Sequence, residues 1–387
     1  MRAVAAGALS GVLLLGIAGG APAAAEEKGA KDWGYDKGFY FKADQFSMSL
    51  GARLQFRLTD TDPEGGAETR EFRIRRAKFF ASGHAYQPWI RYRVQANVVG
   101  QDVVNRVTVD EDEGDGELQD DEVTSSRSRG FDLEDFYVDF ARSGLATVRV
   151  GQYKVPFGIQ ELTSSGSQQF VERSLASDSF APGRDQGVVL LGSDKSKKFG
   201  YDVGFFNGNG RNRSANDNDD FEYVARVHFD PSGEYRLEES ATGHPEKLLW
   251  TVGAGWLLNR TGAAADTDVT SLEGFFALQY KGLSVLADYY TRTTEPPAGS
   301  DTDADGYVAQ VGYFFVPKKF EVALRASELD PDTDAAGDTV TERRVALNYF
   351  VKAHRLKVQV DFGRLTTESV MGDADTDEAR AQLQIIF

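Results

Sequence analysis

Residues 354–387 read HRLKVQVDFGRLTTESVMGDADTDEARAQLQIIF, and this stretch decides the fold class. In its first run Leu356, Val358, Val360 and Phe362 alternate with Arg355, Lys357, Gln359 and Asp361. In its last run Ala379, Ala381, Leu383, Ile385 and Phe387 alternate with Arg380, Gln382, Gln384 and Ile386. Successive side chains of a strand point to opposite faces, so each run predicts a strand with one apolar and one polar surface. A long acidic connection, Glu368 to Asp377, joins the two runs, and a short basic one, VKAHR (351–355), precedes the first.

The same unit recurs back to Phe46. Strand candidates fall at 46–58, 70–86, 89–99, 131–140, 145–153, 186–193, 198–207, 220–229, 247–258, 270–281, 283–292, 305–316, 319–328, 341–351, 354–366 and 378–387. Most run to about ten residues, enough to cross a bilayer when tilted. Long acidic connections (Asp60 to Glu68, Asp102 to Glu122, Glu295 to Asp303, Asp330 to Asp338) alternate with short ones such as DKSKK (194–198) and VPKK (316–319). Both ends of a soluble sandwich face the same solvent and give no reason for such segregation. A barrel in a membrane has two unlike ends, with long loops on one side and tight turns on the other. The prediction is an all-β, sixteen-stranded antiparallel transmembrane β-barrel over 46–387. Aromatic doublets near strand ends, such as Phe79-Phe80, Tyr289-Tyr290 and Phe314-Phe315, suit girdles at the membrane interfaces. One connection breaks the pattern: Asp230 to Glu246 is long yet falls at a short-turn position, which implies an extended turn or a different strand number nearby.

Residues 1–25 open with Arg2, run through an apolar stretch and end in Ala23-Ala24-Ala25, which predicts a secretory signal peptide cleaved near Glu26. Residues 26–45 would then lead into the barrel. The chain has no cysteine, which excludes disulfides, thiolate zinc sites and thiol nucleophiles. Its 41% hydrophobic content does not distinguish a soluble protein from a barrel with a polar lumen.

The connection KVPFGIQELTSSGSQQFVERSLASDSFAPGRD (154–185) is long without being acidic in bulk, and structureless loops of that length tend to be functional. Within and around it, GQYKVPFGIQE (151–161), VERSLA (171–176) and FAPGRDQGV (180–188) resemble the phosphate-selective porins O and P. So do the opening strands GFYFKADQFSMSLGARLQ (38–55) and FRIRRAKFFASGHAYQPWIRYRVQ (72–95). The resemblance covers nearly the whole mature chain. It implies a porin, a homotrimer, and a third external loop that folds into the barrel and constricts the pore. The terminal Phe387 likewise resembles the closing signal of bacterial outer-membrane barrels. The resemblance does not fix phosphate as the solute.

Selectivity has to be argued from where charges sit. The formal net charge of -17 would by itself attract cations. Much of that excess lies in loops, however, while the polar parity of the strands carries Arg53, Arg57, Arg73, Arg75, Arg91, Arg93, Arg149, Arg226, Arg325, Arg344, Lys357 and Arg380. Asp135, Asp139, Glu222, Asp288, Glu321 and Asp361 oppose them on the same parity. Arginine and lysine along a pore favour anions, and rim charges beyond a Debye length of about 8 Å are screened. The expected function is passive diffusion of small hydrophilic solutes across the outer membrane, with preference for small anions, phosphate among them. The constriction loop offers Lys154, Arg173 and Arg184 against Glu161, Glu172, Asp178 and Asp185, a balance that argues for general diffusion of small anions or mixed solutes over a dedicated phosphate site. Arg76 and Lys78 share parity with Phe72 and Ile74, which implies a bulge that shifts the register, or snorkelling near an interface.

Asp301, Asp303 and Asp305 before Gly306 resemble the start of a calcium loop, but the twelfth position is Gly312 where an EF-hand needs Glu. The alternative is divalent cations bridging neighbouring loops or anionic surface glycolipid. The four histidines form no metal or hydrolase motif, no cofactor is expected, and no Gly-rich phosphate loop or basic aromatic nucleic-acid surface occurs. Expected partners are small anions or other small solutes, outer-membrane lipid and the barrel-assembly machinery. The competing readings are a non-selective or cation-preferring general porin, and an adhesin or receptor barrel acting through acidic external loops.

Overall fold

The computed structural model describes residues 32–36, 38–99, 102–104, 125–127, 131–262, 266–370 and 372–387. The expected signal peptide and most of the acidic tract 102–122 lie outside the described residues. In chain order, β1 (Trp33–Tyr35) and β2 (Phe39–Ala43) form a hairpin, and β3 (Phe46–Pro63), β4 (Thr69–Ala85) and β5 (Gln87–Asn97) begin the barrel. A small pair, β6 (Asp102–Val104) and β7 (Ser125–Arg127), stands in its own sheet. Then come β8 (Asp132–Phe140), β9 (Ala146–Lys154), the short helices α1 (Ile159–Leu162) and α2 (Leu175–Phe180), β10 (Arg184–Ser193), β11 (Phe199–Phe206) and β12 (Glu222–Phe229). The chain closes with β13 (Leu249–Thr261), β14 (Thr267–Tyr280), β15 (Leu283–Glu295), β16 (Thr302–Val316), β17 (Phe320–Asp330), β18 (Val340–Lys352), β19 (Leu356–Thr367) and β20 (Ala374–Ile386).

Every neighbouring pair of barrel strands is antiparallel, and β20 pairs back onto β3 from Thr376↔Pro63 to Ile386↔Arg53. Sixteen strands, β3–β5 and β8–β20, therefore close on themselves. Closure satisfies the edge groups that a membrane would leave unpaired. Ala52 and Phe387 exchange both backbone hydrogen bonds at the seam, at 2.7 and 3.0 Å. Below that seam β2 continues the ladder along β3, from Phe39↔Leu50 to Ala43↔Phe46.

The two faces have the polarity expected of a barrel in lipid, the inverse of a soluble protein. On β19 Lys357 and Asp361 are 0% exposed, whereas Val358 is 41% and Phe362 48% exposed. The polar parity thus points inward and the apolar parity outward. The aromatic doublets are split by this same alternation. Phe79, Tyr289 and Phe315 face outward, while Tyr290 and Phe314 are buried inside, so only half of each pair can serve a girdle.

Strands run further than the alternation alone suggests, chiefly at the long-loop end. There β3 reaches Pro63 and β20 begins at Ala374, and the acidic residues continue the ladder as ribbon. Part of their charge is compensated locally: Arg70 pairs with Asp60, and Arg364 with Asp375 and Asp377. At the opposite end turns are tight. Lys281 and Gly282 between β14 and β15 adopt φ of 46° and 87°, the left-handed pair that two-residue hairpins need. The connection 230–248 is an extended turn at this end, so the strand count holds.

Candidate functional site

Most inward-facing residues of β14–β19 do not face an open lumen. The segment 155–183 packs against them, tied by its backbone and side chains to strand after strand. Glu273 accepts hydrogen bonds from the N–H groups of Gly158 and Ile159 at 2.8 and 2.7 Å. Asp361 accepts from Val171 N–H at 2.9 Å, and Glu342 from Leu175 N–H at 3.1 Å. Lys357 donates to the Gln168 carbonyl at 2.8 Å, and Gln384 to that of Gly166 at 2.8 Å. These anchors span half the circumference and put the segment on the inside of the barrel. Apolar contacts complete the docking: Phe180 stacks on Tyr290 with centroids 5.4 Å apart, and Val155, Phe157 and Phe170 are fully buried. Strands of a half-buried sheet must cover an apolar inner patch, and this segment supplies the cover.

Between that segment and the inner wall of β3, β4, β5, β8 and β9 a cavity of about 640 Å³ remains open. Arg53, Arg75, Arg76, Lys78, Arg93, Arg149, Lys154, Arg173, Arg184 and Arg211 line it, against the carboxylates Glu134, Asp135 and Glu161. Two β-bulges produce this density. The β3–β4 register shifts between Gln55 and Phe56, so that Gln55 pairs with Arg76 and Phe56 with Ile74, leaving Arg75 as the extra residue. The β5–β8 register shifts between Gln95 and Ala96, leaving Glu134 extra beside Asp135. A bulge lets two consecutive side chains point the same way, which strict alternation forbids. Arg75 and Arg76 therefore both reach inward, as do Glu134 and Asp135.

Most of the cations carry a carboxylate partner. Glu172 receives Arg57 and Arg75 at 2.5 Å each and Arg76 at 2.9 Å. Lys78 pairs with Glu134 at 2.6 Å, Arg184 and Arg93 with Asp135 at 2.7 and 3.3 Å, and Arg149 with Asp139 at 2.7 Å. Arg173 and Lys154 meet Glu161 at 3.0 and 3.7 Å, and Arg211 meets Asp132 at 3.1 Å. Arg53 is different: its guanidinium donates to the hydroxyls of Ser165 and Ser164, both at 2.9 Å, and makes no ion pair among the described residues. Burial alone would raise the pKa of Glu161, but Lys154 and Arg173 outweigh it and keep the carboxylate ionised.

The residues anticipated as pore wall divide accordingly. Arg53, Arg75, Arg93 and Arg149 line the cavity, and Arg57 lies behind it on Glu172. Arg91 lies on a second space of about 570 Å³ shared with Arg93 and Arg149. Arg73 faces inward opposite Arg57 but sits at the long-loop end, paired with Glu71. The other five are inward yet covered. Arg325 donates to the Glu172 carbonyl and lies 4.0 Å over the Phe170 ring. Arg344 pairs with Glu342, Asp361 and Glu378, and Arg380 grips Asp361 through two hydrogen bonds of 2.8 and 3.1 Å. Lys357 holds Gln168, and Arg226 lies 4.6 Å over Phe275 beside Asp202. These five brace the inserted segment or the wall behind it.

Of the residues expected in a constriction loop, Lys154, Glu161, Arg173 and Arg184 border the cavity. Glu172 is an anchor, and Asp185 turns away to accept from the Gly208 N–H at 2.6 Å. Strict parity misses Glu134 as a cavity residue and makes Arg76 and Lys78 anomalous; the signal for the latter was their clash with Phe72 and Ile74. The calcium candidates do not converge. Asp303 accepts from Thr293 and Asp305 from Tyr289, and no group of metal-ligating residues is found among the described residues.

Known proteins share this architecture. An anion-selective porin from Comamonas acidovorans superposes with a TM-score of 0.60 at 12% identity, over 89% of this chain and all of that one. The trimer form of OmpT, an outer membrane protein of Vibrio cholerae, gives 0.52 at 11% identity over 88% of this chain and all of that one. In sequence, an uncharacterized protein of Aquifex aeolicus is 23% identical over 251 residues, 57% of this chain; the match spans 60% of that protein's length. Residues 46–387, nearly the whole chain, match the family profile of phosphate-selective porin O and P. The chain thus belongs to the phosphate-selective porin O and P family of bacterial outer-membrane barrels.

Proposed function

We propose that this protein is a channel for passive diffusion of small hydrophilic solutes across the outer membrane, with a moderate preference for small anions. The observation that carries this is the cavity lining, ten cationic side chains against three carboxylates. The lining keeps an excess of positive charge even with Glu172, Asp139 and Asp132 paired to it; such an excess between low-dielectric walls raises the local concentration of counter-ions, and guanidinium groups suit phosphate and carboxylate oxygens. The acidic rim counts for less, because charges there are screened over about 8 Å and some of them, such as Asp60, Asp375 and Asp377, are paired with arginines. Segment 155–183 is the pore-constricting third loop in this reading.

Ion pairing keeps the preference moderate. A dedicated phosphate site needs donors free to converge on one anion, whereas here nearly every lining cation already serves a carboxylate. Arg53 is the exception and is the residue best placed to bind a passing anion. The comparison with a trimeric barrel of the same fold supports a homotrimer as the working assembly. The test is the zero-current potential of reconstituted channels in a salt gradient, for wild type and Arg53→Glu. Anion preference in the wild type, reduced in the variant, is expected; cation preference in the wild type refutes the reading.

A further inference from the structure

The connection 230–248 stands at the short-turn end, where its counterparts are as brief as Lys281-Gly282 and 317–319. Its middle does not hang free. Ser240 and Ala241 are fully buried, and Glu239 nearly so. The Glu239 N–H donates to the Ser167 carbonyl at 3.1 Å, and its carboxylate accepts from the Gln169 N–H at 2.8 Å and from the Gln310 side chain at 3.1 Å. Ser240 donates to Glu321 at 2.9 Å, which also accepts from the Gln169 side chain at 2.8 Å. The turn therefore enters the lumen from its own end and clasps the middle of the segment that enters from the other.

An apolar patch explains the entry. Phe275, Ala277, Leu286 and Val308 lie on the inward parity of β14–β16, where the lumen would otherwise wet them. Ile159 covers one side of this patch, and Tyr235 and Leu237 pack against it from the turn. Leu237 also borders the cavity, alongside Arg173 and Arg184. It is thus an apolar side chain among cations, contributed from the end opposite the constriction loop.

We propose that the 230–248 turn is the second jaw of the constriction: Leu237 sets the size limit for passing solutes, and Glu239 fixes the position of the third loop. This rests on the channel reading. A passage bounded on one side by a flexible connection would vary in width; clasping two connections to each other removes that freedom.

The experiment is single-channel recording of the full chain in planar bilayers, with folded barrel verified for each variant by heat-modifiable gel migration. Leu237→Ala should raise unitary conductance and admit larger neutral polyethylene glycols, and Leu237→Trp should do the reverse, both keeping the sign of the zero-current potential. Glu239→Ala should add open-channel noise, and Glu239→Gln, which retains one acceptor oxygen, should restore much of the quiet state. Folded Leu237 variants with unchanged conductance and size limit overturn the jaw while leaving the channel intact. A wild-type barrel that passes no current overturns the channel reading itself.

Discussion

Neutralising Glu172 is the most searching test of how the third loop is held. Its carboxylate lies within 2.9 Å of three guanidinium groups, those of Arg57, Arg75 and Arg76. Burial alone would raise its pKa, but Arg76 and Arg75 more than reverse that and hold it at about 2, against an ordinary 4.5. An undocked loop returns Glu172 to water, so the difference corresponds to about 3 kcal/mol of docking free energy. A carboxylate depressed in this way contributes fully above its undocked value, and the contribution is lost as pH falls from about 4.5 toward about 2. Glu172→Gln removes the term at every pH, which weakens docking on the order of a hundredfold. It also leaves three cations uncompensated beside the cavity. Open-channel noise at neutral pH should therefore rise, and the zero-current potential in a potassium chloride gradient should move toward that of chloride. Wild type should become noisy only on acidification below about pH 4, while the variant should lack this acid step. An unchanged zero-current potential, or one displaced toward the cation, would refute the reasoning.

Two further outcomes bear on the fold and on the loops. A methyl group on Gly83 would stand 1.8 Å from the Ser47 carbonyl oxygen, a backbone atom that cannot step aside, so Gly83→Ala should cost about 3 kcal/mol or more. Yield of heat-modifiable barrel reads this out, and a wild-type yield contradicts the β3–β4 register. Because Asp303 and Asp305 are each bonded to a different hydroxyl, a chelator should leave the melting temperature unchanged; a clear fall would revive divalent bridging between the loops.

Much of this architecture is legible in residue order, because a barrel's period of two is a local property. The parity of Lys357, Gln359 and Asp361 gives their inward direction, and the misfit of Arg76 and Lys78 anticipates the bulge at Arg75. The long turn after Phe229 fits the count once its apolar residues are seen to cover Phe275 and Leu286. What parity cannot supply is what stands in front of an inward side chain. Arg325, Arg344 and Arg380 look like Arg53 and Arg93 in a list of strand positions, yet only the latter two line the cavity. The difference lies in tertiary contacts, such as Arg325 with the Glu172 carbonyl and Asp361, the partner of Arg344 and Arg380, with the Val171 N–H, and no local pattern records those. Glu134 escapes for a related reason: its bulge is defined only against its partner strand.

The division of the inner wall has a consequence for how such a channel can change. The early hairpins carry most of the groups that a solute would meet, while the later strands mainly hold the inserted loop; Arg53, Arg75 and Arg76 on β3 and β4 do both. Substitutions on β5 or β8 can therefore retune which ions pass without loosening the bracing, whereas Arg75 and Arg76 on β4 and Lys154 on β9 also hold the loop. Substitutions beneath the loop act on how wide the passage is and how still it stays. A lineage of such barrels is free to explore new solutes at the lining positions of β5 and β8 while the positions that hold the loop stay under constraint, so relatives of unlike selectivity should diverge unevenly along the chain.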